Sequence, residues 1–283
     1  MSGARRAAAG VVLALAAACA RQKGFPLAAD DPLVAAQSIA LDVRPGDVRL
    51  AHDVLVRSIA PGVWLHVTLA VFPSATGRTW YPSNGLLLDA ADGGMVLIDT
   101  GWNDAQTAAL LDWAERTHRR AVRRAVITHA HEDRLGGLAT LRARRVPAVS
   151  LGRTAALARA GGAMPPDSVA GLADAPVRDA AGFELRFPGA GHAPDNIVVY
   201  VPAARLLFGG CLVKPDTATT VGNVADADIA NWPRAVGAVR AAYPDARTVV
   251  PGHGAVGGPS ALTWTERLIT EQGPAAAARL RKD

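Results

Sequence analysis

Between residues 128 and 137 the chain reads Thr-His-Ala-His-Glu-Asp-Arg-Leu-Gly-Gly, and no other segment constrains the fold as much. A β-type run, Ala121 to Thr128, precedes it, and a helix-like run, Leu138 to Arg145, follows it. His129, His131 and Asp133 therefore sit on a strand-to-helix turn, where side chains at i, i+2 and i+4 can converge. Two imidazoles and a carboxylate combine borderline nitrogen donors with a hard oxygen donor, and zinc accepts both. A His-rich surface turn has the same pattern, so the rest of the chain must decide. His192 lies in the Gly-rich turn Gly189 to Asn196, Cys211 follows the run Leu206 to Gly210, and His253 follows Val249 to Gly252. Each of these donors falls at or beside a strand end, with a glycine nearby that lets backbone approach closely. His52, His66 and His118 lack such a context and read as ordinary core or surface histidines.

The surrounding pattern suits a layered α/β (α+β) fold. Short β-type runs recur from Val54 to Thr128 and again from Phe183 to Val250, and Gly, Pro or Asn punctuates most of them. Helical spacing appears after the Asn103-Asp104 cap, closing near His118, and again over Trp232–Tyr243 and Ser260–Gln272. Strands then helices in each half imply strands buried between helical layers. The chain is 283 residues long and 50% apolar, ample for such a core. Its net charge of +5 is a modest excess without a dense basic cluster, which argues against nucleic acid as a partner.

The N-terminus reads as an export signal. Arg5 and Arg6 precede the small-apolar run Ala7 to Ala18, which is too short to span a membrane. The expected organisation is a signal peptide at 1–18, a flexible tether at 19–48 and a single domain at 49–283, in the periplasm. Whether Cys19 becomes a lipid anchor or cleavage follows Ala18 stays open. In either case Cys211 has no disulfide partner, because Cys19 and Cys211 are the only cysteines. A lone thiol in an oxidising compartment is a liability unless it is buried or metal-bound.

Taken together, the motifs His129-x-His131-x-Asp133-Arg134, Gly189-x-Gly191-His192-x-x-Asp195-Asn196, Gly209-Gly210-Cys211-x-x-Lys214, Gly222-Asn223-x-x-Asp226-Ala227-Asp228 and Pro251-Gly252-His253-Gly254 resemble a subclass B1 metallo-β-lactamase. The resemblance runs from about Val54 to Gln272, and the Asn223–Asp228 and Pro251–Gly254 segments are most similar to the integron-borne Verona-type branch. It implies a four-layer αββα sandwich holding two zinc ions, one on His129, His131 and His192, the other on Asp133, Cys211 and His253. The implied reaction is hydrolysis of the β-lactam amide of penicillins, cephalosporins and carbapenems, with a zinc-bound hydroxide as nucleophile. Asp133 would orient that hydroxide and relay a proton. Lys214 would bind the substrate carboxylate, and Asn223 would sit near the lactam carbonyl. Phe72 and Trp80, in the hairpin segment Val71 to Trp80, would cover substrate. Asp99 would orient a ligand imidazole, and Arg134 would brace the metal loop. Members are commonly monomeric, and a monomer is expected here.

Arg134 stands where thiolester hydrolases of the wider superfamily and B3 lactamases carry a further His. Cys211 stands where glyoxalase-type hydrolases carry a bridging Asp, and His129 where B2 lactamases carry Asn. Another zinc hydrolase of this scaffold, acting on a thiolester, lactone or phosphodiester, is the alternative reading. An exported zinc-binding protein is a third.

Overall fold

The apolar runs at Met95–Ile98 and Leu206–Gly210 are buried at every position, as strands covered on both faces must be. The computed structural model describes residues 40–74 and 77–280. The expected signal peptide, the Cys19 anchor and most of the tether lie outside the described residues.

One sheet has eight strands in chain order: β1 (Val48–Ala51), β2 (Val54–Ala60), β3 (Val63–Ser74), β4 (Gly77–Asp89), β5 (Met95–Ile98), β6 (Val122–Ile127), β7 (Ala148–Ser150) and β8 (Asp167–Ser168). It is antiparallel through β5 and parallel from β5 to β8. The second sheet contains β9 (Val177–Arg178), β10 (Glu184–Arg186), β11 (Val198–Val201), β12 (Leu206–Gly210) and β13 (Thr248–Pro251). Only its β12–β13 pair is parallel.

Side-chain alternation sorts the core into three apolar layers. Val96, Ile98, Leu206 and Phe208 point between the sheets. Met95 and Leu97 point outward to meet Leu110, Leu111 and Trp113 of helix α1 (Asp104–His118). The short helices α2 (Glu132–Leu135), α3 (Leu138–Ala143) and α4 (Gly152–Ala160) follow, and Leu138 and Leu141 of α3 join the same outer layer. On the far side, Leu207 and Val249 face α5 (Trp232–Ala242) and α6 (Ser260–Leu280). The result is the αββα sandwich that the motifs imply.

Two boundaries differ from the sequence reading. Leu41 is buried in the inter-sheet core, and Asp47 pairs with Arg57 at 2.7 Å. The packed body thus begins at least eight residues before the expected start at 49. The turn-forming run Arg44-Pro45-Gly46-Asp47 masked a single buried leucine. Likewise β3 continues to Ser74 and β4 starts at Gly77, so the polar segment is paired as strand, Val71 with Trp80 and Phe72 with Thr79. Backbone pairing, not side-chain polarity, decides there.

His66 is a buried core residue, as its sequence context suggests. Its Nε2 lies 3.3 Å from the Ile98 carbonyl and 3.2 Å from that of Asp99, and burial lowers its pKa to about 4. The imidazole fits because residue 85 is glycine: a Cβ there would lie 2.1 Å from His66 Nε2 and 2.5 Å from the Ile98 carbonyl oxygen. Gly85→Ala should destabilise the fold by about 1–3 kcal/mol, the usual cost of overpacking. A urea-unfolding midpoint equal to that of the parent would show that the imidazole relaxes freely.

Candidate metal centre

The carboxyl ends of β6, β12 and β13 open at one edge of the sandwich, the usual place for a site in an open sheet. They deliver His129 and His131, Cys211, and His253, while His192 arrives in the turn before β11. Backbone hydrogen bonds stitch the sheets together at this edge. The Ile197 N–H donates to the Thr128 carbonyl at 2.9 Å and that of Asn84 to the Gly252 carbonyl at 2.8 Å, while within the second sheet the Gly252 N–H donates to the Gly210 carbonyl at 2.7 Å.

The donors gather in two groups. His131 Nδ1 lies 3.0 Å from His129 Nε2 and 3.1 Å from His192 Nε2. Cys211 Sγ lies 3.5 Å from Asp133 Oδ2 and 3.2 Å from His253 Nε2, which is itself 3.2 Å from Asp133 Oδ2. A tetrahedral ion about 2.0–2.3 Å from its ligands sets them roughly 3.3–3.7 Å apart, and both groups stand at or a few tenths of an ångström inside that spacing. Burial drives His129 and His192 well below the ordinary imidazole range, the latter aided by nearby Lys214. His129, His131 and His192 thus point ring nitrogens at one another, an arrangement that a shared cation would satisfy at all three. A further triad, His129, His192 and Cys211, spans the two groups with its ligand atoms within 4.8 Å.

The second group carries anionic character. Burial opposes charge on His253, but Cys211 and Asp133 outweigh it and raise its pKa to about 10. Burial also opposes the Asp133 carboxylate, yet Arg134 and His253 hold it well below the usual range. Arg134 lies fully buried beneath this group. Its Nη2 contacts Asp133 Oδ2 at 2.8 Å, Cys211 Sγ at 3.0 Å and the Gly252 carbonyl at 3.0 Å. Its Nη1 reaches the Asn84 carbonyl at 2.6 Å and Asp99 Oδ2 at 3.3 Å. Arg134 thus ties the metal loop to four other segments, those that carry Asn84, Asp99, Cys211 and Gly252.

The Asp99 carboxylate reaches a donor imidazole only through an intermediate side chain. It accepts the Thr128 N–H and hydroxyl, each at 2.8 Å, and that hydroxyl oxygen lies 3.4 Å from His129 Nδ1. Its left-handed backbone, φ 61°, aims the carboxylate there. A direct orienting carboxylate belongs to Asp226, whose Oδ2 lies 3.0 Å from His131 Nε2. His253 Nδ1 meets the Pro82 carbonyl at 2.7 Å, and buried Asp195 accepts the Ala130 N–H at 2.9 Å. Asn84 Nδ2 donates to the Pro251 and Gly254 carbonyls at 2.9 and 2.8 Å, fixing the His253 turn. The acidic run around Asp226 and the Asp195-Asn196 pair signalled their parts in sequence. Nothing signalled Asn84.

The substrate-side residues divide. Lys214 is half-buried next to the donors, and its Nζ lies 5.3 Å from the Trp232 ring centroid. Burial pulls its pKa down, opposed by Cys211 and Asp133. Among the described residues it forms no ion pair with a carboxylate. Asn223 is exposed, and its side-chain oxygen accepts the Ala225 N–H at 3.0 Å, so its amide NH₂ is what it offers outward. The cross-strand register puts Phe72 and Trp80 on opposite faces of the β3–β4 ribbon, so the two cannot cover one ligand from a single face. Trp80 packs on the inter-sheet core, whereas Phe72 meets Tyr81 and Trp102 at ring distances of 5.3 and 5.6 Å. Trp102, which sequence reasoning missed, lies 6.4 Å from the His253 ring.

Asp226→Asn should weaken zinc at the three-histidine group about tenfold, the lower end for a lost carboxylate behind a metal-binding imidazole, since Asp226 is solvent-exposed. Competition with a chromophoric chelator measures this, and unchanged affinity would make the contact incidental.

The description "metallo-beta-lactamase superfamily" fits residues 78–253. A metallo-beta-lactamase type 2 from Bacillus cereus is 38% identical over 218 residues, 76% of this chain and 82% of the relative. The crystal structure of a metallo-β-lactamase from Hirschia baltica superposes with a TM-score of 0.73 at 35% identity, covering 77% of this chain and 98% of the other. The mono-zinc form of FIM-1 from Pseudomonas aeruginosa gives 0.71 at 33% identity, covering 81% and 98%.

Proposed function

The chain belongs to the metallo-β-lactamase superfamily, in its B1 subclass, and on that premise we propose that it hydrolyses the amide bond of β-lactam antibiotics and so confers resistance. The observation that carries this reading is the juxtaposition of two zinc-spaced donor groups with an unpaired lysine ammonium beside them.

The residues fit two zinc ions, one held by His129, His131 and His192 and the other by Asp133, Cys211 and His253. When bound, zinc supplies Lewis acidity and brings the pKa of water towards roughly 7. The chain's own part is positioning. Lys214 pairs with the substrate carboxylate and turns that binding energy into orientation of the ring. The Asn223 amide NH₂ lies on the loop facing the lactam carbonyl and donates to its oxygen. Asp133, held by Arg134, keeps a carboxylate oxygen where it orients water and passes its proton towards the departing nitrogen. No covalent acyl-enzyme is expected, because the chain has no Ser-x-x-Lys nucleophile context next to this site. A carboxylate-bearing substrate suits Lys214 and Asn223 better than a thiolester does.

The reading extends to the address. Export to the periplasm is supported by Arg5, Arg6 and the run Ala7 to Ala18, with Cys19 acylated or at the cleavage point. The domain is expected to act as a monomer.

Purified protein should hydrolyse imipenem with zinc and lose that activity in excess EDTA. Absence of turnover with two zinc ions bound would move the assignment to another ester-type substrate or to metal binding alone. Lys214→Ala should raise KM by about 10- to 100-fold, the worth of a charged hydrogen bond. A fall in kcat at unchanged KM would refute the anchor role.

A further inference from the structure

Three of the four imidazoles in the centre have a polar contact behind them. His131 Nε2 faces Asp226, His253 Nδ1 faces the Pro82 carbonyl, and His129 Nδ1 faces the Thr128 hydroxyl. His192 is the exception: its Nδ1 is buried without a hydrogen-bond partner. What lies against that ring is an indole. Trp232 is fully buried, with its ring centroid 5.6 Å from that of His192 at an interplanar angle of 59°. The same indole carries the Lys214 ammonium 5.3 Å from its centroid, within cation–π range.

The local chain is built to hold this indole. Trp232 Nε1 donates to the Leu212 carbonyl at 2.7 Å, two residues before Lys214. The Asn231 side chain donates to the Ala190 carbonyl at 2.7 Å, and the Asp228 N–H to the Gly191 carbonyl at 2.8 Å. These bonds clamp the start of α5 onto the turn that carries His192. Gly191 makes the approach possible, since a Cβ there would lie 2.3 Å from Leu212 Cδ1 and 3.1 Å from Trp232 Cδ1.

We propose that Trp232 is a positioning residue that serves two partners: it seats the His192 imidazole for metal binding and holds the Lys214 ammonium at the reach of the substrate carboxylate. The two duties couple metal retention to substrate anchoring through one buried ring. The substrate half rests on the lactamase reading given above, whereas the ammonium and metal halves do not.

The composition permits a direct test. Lys23, Lys214 and Lys282 are the only lysines, so ¹³Cε-lysine labelling of the full chain resolves Lys214. Its ε-methylene protons should be shifted upfield by the indole ring current and return towards free-lysine values in Trp232→Leu. Zinc alone, titrated against a chelator, should bind the variant several-fold more weakly. KM for imipenem should rise about 3- to 30-fold, the worth of a cation–π contact. The same substitution in a Lys214→Ala background should leave KM unmoved while still weakening zinc. Trp232→Phe, which keeps a π face, should restore part of each effect and serves if the leucine variant fails to fold. An unshifted Lys214 signal in the parent overturns the ammonium contact, whatever the substrate proves to be. Unchanged zinc affinity and KM in a folded variant overturn the rest. If imipenem is not a substrate, the shift and zinc measurements still decide those two halves.

Discussion

A buried guanidinium governs the architecture of this site. Arg134 reaches no water, so its charge must be answered from within by Asp133, Asp99, Cys211 and two carbonyls. Those partners come from the metal loop, the end of β5, the end of β12, and the strand and turn that carry Asn84 and Gly252. Removing one member of such a buried set leaves an uncompensated charge, typically at a cost of about 3–5 kcal/mol. The five segments are therefore bound to one geometry, and the donors they carry are held in place before any ion arrives.

Around that knot, three of the four imidazoles are aimed through a polar contact on their outer face. Asp99 works through Thr128, Asp226 through His131, and the Pro82 carbonyl through His253. The two groups have different characters. Burial denies His129 and His192 a proton, whereas Asp133 keeps its carboxylate charge and, with Cys211, draws His253 towards the protonated form. An electrophilic carbonyl and a departing amide nitrogen make different demands, and two such sites side by side meet both. In the proposed reaction Lys214 would supply the remaining requirement, a fixed point of attachment for an anionic substrate.

Much of this was legible in the sequence. The six donors stand in motifs whose glycines and strand ends announce a converging site, and strands followed by helices in each half announced sheets buried between helical layers. Less visible were features that depend on packing between distant segments. Asn84 lies in an unremarkable Ser-Asn-Gly stretch, yet it fixes the His253 turn 167 residues later in the chain through Pro251. Asp99 was placed near the imidazoles correctly, but its left-handed backbone sends it to Thr128 instead. Phe72 and Trp80 were grouped by proximity in sequence, and the period of two in a strand separates them. Leu41 was hidden by the turn residues that follow it.

The central claim is that six side chains form two adjacent zinc sites on one braced seam. Anomalous diffraction at the zinc edge, from crystals of the zinc-loaded protein, tests it most directly. The account predicts two peaks, one among His129, His131 and His192 and the other among Asp133, Cys211 and His253. A single peak within either triad that spans both groups, His129, His192 and Cys211 or His129, His131 and Asp133, would contradict it.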